Sequence, residues 1–232
     1  MIDFSSEEKQ FLSVESFKDL VSIPYKGEMN AVCWSRDLTG DFSEVVAALE
    51  LEGDLMVLEP EHLRELQLSK QGKLAREILL HDFMALKDHG ASPTLNLIKC
   101  YDRDNSYPFF PTDVYSFHVD RSPLPTDTFL CTYHGDSSEI LPNSQAVQKV
   151  LVPEIRDELK KLYGAGDEGF ETFLSEYFFD LHYKAIPEAR PVSLGFGNLW
   201  KLAVDHPNSQ VLPCVHRAPD ELSGETRLMM IC

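Results

Sequence analysis

The residues of this sequence best suited to chemistry lie in one short segment, 113–120, which reads DVYSFHVD. Its branched and aromatic composition predicts a strand, and residues two apart on a strand project to the same side. His118 and Asp120 are therefore expected to point together. An imidazole nitrogen and a carboxylate oxygen supply two of the three ligands of a facial metal site, which one further histidine would complete.

A second pair of the same types at the same spacing is His134 and Asp136. Gly135 lies between them and favours a turn, in which the two side chains need not converge. We therefore expect the site at His118 and Asp120. The simpler alternative for that pair is a hydrogen-bonded pair without a metal.

The sequence near the C-terminus contains a histidine and an arginine that would complete such a site. His216 ends one predicted strand, and Arg227, eleven positions after it, begins the next. Pro219 and Gly224 occupy the connection, which is typical of a loop. A buried arginine can hold a carboxylate through two parallel hydrogen bonds and stays charged when desolvated. The pattern predicts a site for a metal-chelating organic acid.

The order of HxD, distal His and Arg resembles the Fe(II)- and 2-oxoglutarate-dependent dioxygenases, which are built on a double-stranded β-helix. The blocks FHVD, FLCTYHG and HRAP, with RL at 227–228, also resemble an uncharacterised bacterial family of that fold. The resemblance implies that His118, Asp120 and His216 bind Fe(II) and form the catalytic centre. It also implies that Arg227 binds the cosubstrate 2-oxoglutarate, with O₂ as the second cosubstrate. The implied reaction converts 2-oxoglutarate to succinate and CO₂ while a small molecule or an amino-acid-like group is hydroxylated.

Further site residues follow from the strands around the motif. Thr132 or Tyr133 is expected to donate a hydrogen bond to 2-oxoglutarate, and only one can do so because alternation aims them at opposite faces. Met229 stands where the family's Arg-x-Ser pattern has serine, so one hydroxyl donor is missing. Arg121 and Lys201 are the candidates for contact with an anionic group of the substrate, although exposed charge is the default for both.

Several alternatives stay open at this point. His206, with Arg217 eleven places after it, is a rival for the distal ligand, and His182 is expected to pack against aromatic rings. Cys214, two places before His216, would give a zinc site that includes a thiolate. Arg227 could form a structural ion pair with an acidic residue of its own loop, namely Asp220, Glu221 or Glu225. The alternative functions are a non-catalytic β-helix protein that binds a ligand or a metal, and a zinc or other divalent-metal enzyme.

Composition limits the classes of partner. The 232 residues include 21 Lys and Arg against 38 Asp and Glu, a formal net charge of −17, which disfavours nucleic acid and anionic membranes as partners. Residues 1–8 lack the basic and apolar regions of a signal peptide, and the five cysteines form no CxxC pair. We expect a cytoplasmic protein that acts on a small molecule. A homo-oligomer is compatible with the sequence.

The predicted fold is α+β in one domain over 1–232: a double-stranded β-helix, or jelly-roll, barrel backed by helices. Residues 1–90 are expected to form a mainly helical layer, and 91–232 the β-helix core with a helical insert at about 143–185. Periodicity predicts helices at 5–20, 41–51, 73–89, 145–163 and 168–183, with Pro153 breaking the fourth. Strands are predicted at 30–34, 94–101, 113–118, 128–133, 199–204, 211–216 and 227–232.

Overall fold

The computed structural model describes residues 9–164, 166–220 and 224–232. Its strands within these ranges are β1 Phe11–Val14, β2 Ala31–Trp34, β3 Leu55–Leu58, β4 Thr94–Ile98, β5 Asp127–His134, β6 Glu139–Ile140, β7 Ala146–Gln148, β8 Tyr183–Ala185, β9 Val192–Ser193, β10 Leu199–Ala203, β11 His216–Arg217 and β12 Arg227–Ile231. Its helices are α1 Phe17–Ser22, α2 Phe42–Ala47, α3 Pro60–Glu65, α4 Lys70–His89, α5 Pro153–Tyr163 and α6 Phe170–Glu176.

Seven strands form the large sheet, in the order β1-β2-β10-β5-β12-β4-β3. Neighbouring strands are antiparallel except β1 and β2, which are parallel. A smaller sheet has the order β11-β6-β9, and β7 pairs with β8 at the base of the helical insert. The prediction of helices combined with a large sheet is confirmed, whereas the described strand pairings do not close the sheets into a barrel.

The large sheet is buried on both faces. On β5, Phe129, Cys131 and Tyr133 belong to the core shared with the helices, whereas Leu130 belongs to the core between the two sheets. The inter-sheet core also takes side chains from the smaller sheet and its flanks, including Ile140, Leu194 and Cys214. Because successive strand residues face opposite sides, Thr128 and Thr132 lie on the inter-sheet face with Leu130.

Helix α4 covers the outer face of the large sheet and is the clearest success of the periodicity argument. Ser69 caps its start by accepting hydrogen bonds from the amides of Gln71 and Gly72, and Gly90 ends it with φ of 98°. Its buried apolar side chains recur at helical spacing and pack against the sheet: Ala75, Leu79, Phe83 and Leu86. None of the helices in the described part of the chain is long and apolar enough to cross a membrane.

The predicted strands at 30–34, 94–101, 128–133, 199–204 and 227–232 are confirmed as β2, β4, β5, β10 and β12. The helix predicted at 5–20 is wrong over residues 9–16, where β1 pairs with β2, and is confirmed only from Phe17, where α1 begins. Residues 5–8 lie outside the described residues. The sequence reading also missed β3 and α3, so the first 90 residues contribute three strands to the large sheet as well as a helical layer.

Two predicted strands beside the site are wrong over most of their length. At 113–118 the chain turns: the carboxylate of Asp113 accepts a hydrogen bond from the amide of Tyr115, and its carbonyl from that of Ser116. An aspartate that bonds the backbone two residues ahead favours a turn over a strand. The second predicted strand, at 211–216, is reduced to β11, which begins only at His216.

The helical insert also departs from its prediction. Helix α5 begins at Pro153, which is favoured at the first position of a helix because its missing N–H needs no partner there. Residues 145–152 form short 3₁₀ turns and β7 instead of helix. The last predicted helix ends early, because Phe178 takes the left-handed conformation with φ of 58°.

Gly135, at the end of β5, permits a close approach to β12. Its φ is +78°, and a Cβ there would lie 2.8 Å from Cγ and 2.9 Å from Cα of Arg227.

We expect Gly135→Ala to lower the free energy of unfolding by about 3 kcal/mol, from left-handed strain and overpacking together. Urea unfolding measures the change. Gly53→Ala is the matched control, because Gly53 has φ of +79° and no described atom within 4 Å of the position that a methyl group would take. It should cost about 1 kcal/mol, and equal losses in the two variants would contradict the close-approach argument.

Candidate metal centre

Three of the four residues singled out in the sequence come together. His118, Asp120 and His216 each offer a ligand atom, and these atoms lie within 4.8 Å of one another. Nε2 of His216 is 3.7 Å from Oδ2 of Asp120, and the two imidazole ring centroids are 4.6 Å apart. Residues almost one hundred positions apart in the chain therefore form one cluster of nitrogen and oxygen donors.

Backbone pairing fixes this cluster. His118 and His216 exchange two N–H to carbonyl hydrogen bonds, both 2.9 Å long, in an antiparallel bridge. The carbonyl of Asp120 accepts a hydrogen bond from the amide of Asp205, which follows β10. Although 113–118 is not a strand, residues 118–120 are held extended between two neighbouring segments. The HxD spacing therefore still places both side chains on one side.

Hydrogen bonds to backbone carbonyls orient both imidazoles. Nδ1 of His118 is 2.7 Å from the carbonyl oxygen of Ser116, and Nδ1 of His216 is 3.2 Å from that of Cys214. Because a carbonyl oxygen only accepts, each Nδ1 carries a proton, and in a neutral ring of this tautomer Nε2 has the free lone pair. This arrangement is the one commonly found behind histidines that bind metals.

The charge states also suit a cation. Burial, followed by the proximity of His216, lowers the pKa of His118 to about 4, so its imidazole is neutral at pH 7. Burial acts to raise the pKa of Asp120, but nearby His216 and a hydrogen bond from Thr128 lower it overall. The cluster therefore presents a neutral imidazole and an ionised carboxylate, the forms that ligate metals.

Thr128 holds the carboxylate in place: its hydroxyl donates a 2.5 Å hydrogen bond to Oδ2 of Asp120. We expect Thr128→Val, which keeps the side-chain shape, to weaken Co(II) binding about tenfold, because outer partners orient the ligands. A competition titration against a chelator of known affinity measures the change. Thr132→Val is the control, since Thr132 lies on the same face of β5 farther along it. Equal affinity of the Thr128 variant and the unmodified protein would show that the hydroxyl does not position Asp120.

Arg227 is the outlying member of the predicted set. It is only 1% exposed, its Nε donates to the carbonyl of Asp136, and its Nη2 donates to the hydroxyl of Ser138. It lies beyond the opposite end of β5 from Thr128, and the interior between is occupied by apolar side chains such as Trp200 and Met229. The structure therefore buries Arg227 at the edge of the inter-sheet space without bringing it into the ligand cluster.

The other predicted cosubstrate and substrate residues divide between the two faces of the sheet. Thr132 faces the inter-sheet space, whereas Tyr133 faces α4 and donates a hydrogen bond of 2.8 Å to Asp82. Lys201 also lies on the helix side, where its Nζ donates to the carbonyl of Ile23. These positions remove Tyr133 and Lys201 from the candidates on geometric grounds, because alternation turns them away from the cluster.

Arg121 borders the cluster, but its charge is already matched. Its guanidinium donates to the carboxylates of Asp180 and Asp205 at 2.6 and 2.8 Å. An anionic substrate group would have to compete with both carboxylates. Arg121 is therefore a weaker anion anchor than its place beside the motif suggested.

The rival ligands do not join the cluster. Nδ1 of His206 accepts a hydrogen bond from the amide of Asn208, and Arg217 pairs with Glu139. Cys214 lies in the inter-sheet core, where burial raises the pKa of its thiol and disfavours the thiolate that zinc requires. Among the structural partners suggested for Arg227, Asp220 contacts Arg103 and Glu221 lies outside the described residues.

A cavity of about 290 Å³ opens beside the cluster. The cavity wall includes two of the three ligating residues and several side chains from the insert and the preceding loop, among them Asp113, His118, Asp120, Arg121, Phe178 and His182. Neither Arg227 nor Thr132 belongs to the described part of this wall. The sequence reading missed His182 and Thr128 as site residues. The alternation that separates Thr132 from Tyr133 also places Thr128 on the same face of the strand as Thr132, so Thr128 could have been found.

The donor set fits a divalent transition metal. Two imidazole nitrogens and one carboxylate are the ligands of the facial triad that binds non-haem Fe(II) and leaves positions open. Zinc accepts the same donors. Comparisons of the chain with models of protein families, with curated proteins and with solved structures find no match.

Proposed function

We propose that this protein is a non-haem Fe(II) oxygenase that uses 2-oxoglutarate as its cosubstrate and oxidises a small molecule or an amino-acid-like group. The observation that carries the proposal is the cluster of His118, Asp120 and His216, with donor atoms within 4.8 Å and both Nδ1 atoms directed at carbonyls. When bound, Fe(II) would supply the activation of O₂ that carbon hydroxylation requires.

The chain's own contribution is to bind and orient the metal. His118 and His216 would each present Nε2, and Asp120 a carboxylate oxygen, from positions fixed by backbone pairing. The hydroxyl of Thr128 would keep the carboxylate turned toward the metal. Three protein ligands would leave further coordination positions to the cosubstrates, and the adjoining cavity would admit the substrate.

The path of the chain supports a double-stranded β-helix as the finer fold. From β4 onward the chain alternates between the sheets, with β4, β5, β10 and β12 in the large one. The segment at His118, together with β6, β9 and β11, lies on the smaller side. Alternation of this kind between two facing sheets is the path of a jelly roll, in which metal sites occur at the mouth.

The proposed anchor for 2-oxoglutarate is Arg227. The sequence pattern and the nearly complete burial of its guanidinium favour it, whereas its distance from the cluster along β5 does not. A diacid bound both by the metal and by Arg227 would have to displace apolar side chains of the inter-sheet core. Metal binding and cosubstrate binding therefore need separate tests.

The decisive experiment adds Fe(II) and then 2-oxoglutarate to the full chain without oxygen. A visible charge-transfer band that needs both components would place them in one coordination sphere. Admission of O₂ should then yield succinate, at least slowly, and neither band nor succinate should form in His118→Ala. Arg227→Met tests the anchor: a band that forms at the same 2-oxoglutarate concentration as in the unmodified protein would exclude it.

A second candidate function is a divalent-metal site without oxygen chemistry, either in a hydrolytic enzyme or in a non-catalytic binding protein. It is favoured by the position of Arg227 outside the described cavity wall. In that case the chain would bind Zn(II) or Co(II), and 2-oxoglutarate would produce neither a band with Fe(II) nor succinate. Metal analysis of protein purified without chelators would identify the ion.

A further inference from the structure

We propose that the cavity beside the metal centre recognises a substrate through a positively charged nitrogen group, an ammonium or a guanidinium. The inference rests on the proposed function in one respect only: it assigns the substrate class of the same site. It is carried by three features of the cavity wall, namely its exposed aromatic rings, its excess of carboxylates and a buried histidine.

Two aromatic side chains in the wall are unusually open to solvent. Tyr177 and Phe178 are 51% and 58% exposed, although both follow the packed helix α6. Phe178 is also one of the few non-glycine residues with a positive φ, a conformation that costs a bulky residue free energy. An exposed ring held in a strained backbone at a cavity mouth offers a face for a ligand, and aromatic faces attract cations.

The charges around the cavity favour the same ligand. Asp113 lies in the wall, and its carboxylate accepts hydrogen bonds from two backbone amides, those of Asp104 and Tyr115. The positive charge of Arg121 is offset by two carboxylates, Asp180 and Asp205. The carboxylates nearest the cavity therefore outnumber the cationic groups that face it, apart from a bound metal.

The nearest other cation is directed elsewhere. Nζ of Lys149 donates to the hydroxyl of Ser116 at 2.6 Å and to the carbonyl of Pro111 at 3.3 Å, and Lys149 is not part of the cavity wall. Its contacts support the loop that orients His118 instead of facing a ligand. Its charge nevertheless acts on Asp113 and His182 of the wall and offsets part of the negative charge there. Asp120, together with the two carboxylates beside Arg121, keeps the balance of charge around the cavity negative.

His182 supplies a ring nitrogen that the fold itself does not use. It is 5% exposed, packs its ring edgewise on Phe110 as the sequence predicted, and lies 5.9 Å from the ring of His118. Its Nδ1 is buried and has no hydrogen-bond partner among the described residues. Buried polar atoms are nearly always satisfied, so an exception in a cavity wall points to a group that arrives with the ligand. An ammonium or a guanidinium brings N–H donors, which a neutral imidazole can accept through one ring nitrogen.

A neighbouring cavity leaves room for the rest of the substrate. Its volume is about 490 Å³, and it shares Arg121 and Phe178 with the cavity beside the metal. Pro123 and Pro207 contribute to its wall. The two cavities therefore adjoin at Arg121 and at the exposed ring of Phe178. This arrangement suits a substrate whose cationic group lies near the metal and whose remainder extends over apolar surface.

The test compares three probes of similar size and different charge: butylguanidinium, its neutral isostere butylurea, and the anion pentanoate. Their dissociation constants would be measured by calorimetry on the full chain, with and without Zn(II), which supports no oxygen chemistry. We expect butylguanidinium to bind about tenfold more tightly than butylurea. Pentanoate should bind more weakly than either to the metal-free protein.

Variants separate the contributions. Phe178→Gly removes the ring while glycine accepts the positive φ, Phe178→Leu keeps the apolar bulk without a π face, and Asp113→Asn removes the charge at similar shape. All three should abolish the preference for butylguanidinium. Asp54→Asn is the matched charge control, because Asp54 lies beside β3 outside the cavity and pairs with Lys99 at the surface. It should leave the preference intact.

The inference is overturned if butylurea or pentanoate binds metal-free protein as tightly as butylguanidinium, if no probe binds, or if Phe178→Leu retains the full preference. Because these measurements need no iron, they are independent of the 2-oxoglutarate band. If no band forms but the preference for the cation remains, the proposed oxygenase function is wrong and the proposed substrate class stands. If the band forms without that preference, the oxygenase function stands and the substrate class is wrong.

Discussion

Replacing His118 by alanine is expected to weaken Co(II) binding by more than about 100-fold, beyond the 10- to 100-fold range typical of a lost outer partner. The reason is geometric, because His118 supplies one of only three donor atoms within 4.8 Å of one another. Two remaining ligands would hold the ion through fewer bonds and without the facial arrangement. The visible absorption of Co(II), which reports coordination number, and a chelator competition would measure the effect.

The matched control is His206→Ala. His206 lies near the same end of β10 and lines the neighbouring cavity, but its Nδ1 accepts a hydrogen bond from the amide of Asn208 and it is outside the ligand cluster. Its loss should leave the affinity for Co(II) unchanged. If the two variants bound Co(II) equally well, the cluster would have to be regarded as a hydrogen-bonded group without a metal.

Replacing Asp82 by alanine is expected to lower the free energy of unfolding by about 3–5 kcal/mol. The carboxylate of Asp82, 1% exposed, accepts hydrogen bonds from both terminal nitrogens of Arg36 and from the hydroxyl of Tyr133. Without it, the guanidinium of Arg36 would remain between α4 and the sheet with its charge uncompensated. Urea denaturation followed by circular dichroism would measure the loss.

Two further variants test the cause of this loss. Tyr133→Phe removes one neutral donor and should cost only about 1 kcal/mol. Glu61→Ala breaks the exposed pair with Arg64 and should cost less than about 1 kcal/mol. A loss from Asp82→Ala no greater than that from Glu61→Ala would mean that Arg36 finds solvent in the variant.

The sequence predicted those parts of the fold in which local pattern and tertiary packing agree. β5 and β10 are apolar enough to be buried on both faces, and α4 carries both of its caps and a helical apolar face. The strand predicted at 113–118 failed because Asp113 forms a local turn. Other failures occurred where a partner distant in the chain decides the conformation. β1 is a strand because it pairs in parallel with β2, and this pairing cannot be predicted from residues 11–14 alone.

The site was predicted through spacing more than through secondary structure. The strand expected before His118 is a turn, yet the HxD pair converges because the bridge to His216 holds the chain extended locally. Lys201 lies on the helix side of β10, a result that alternation with buried Trp200 could have indicated. His182 could not be found in this way, because its place beside His118 depends on the path of the helical insert.

One amide near the start of the chain links the two halves that the sequence suggested. The side-chain nitrogen of Asn30 donates to the carbonyls of Leu212 and Pro213, and its own backbone carbonyl accepts from the amide of Ala203. These contacts fasten the segment that leads into His216. A fragment restricted to 91–232 would thus lose the hydrogen bonds that hold the segment before His216. Transfer of the metal centre to another scaffold would consequently require the N-terminal strands as well.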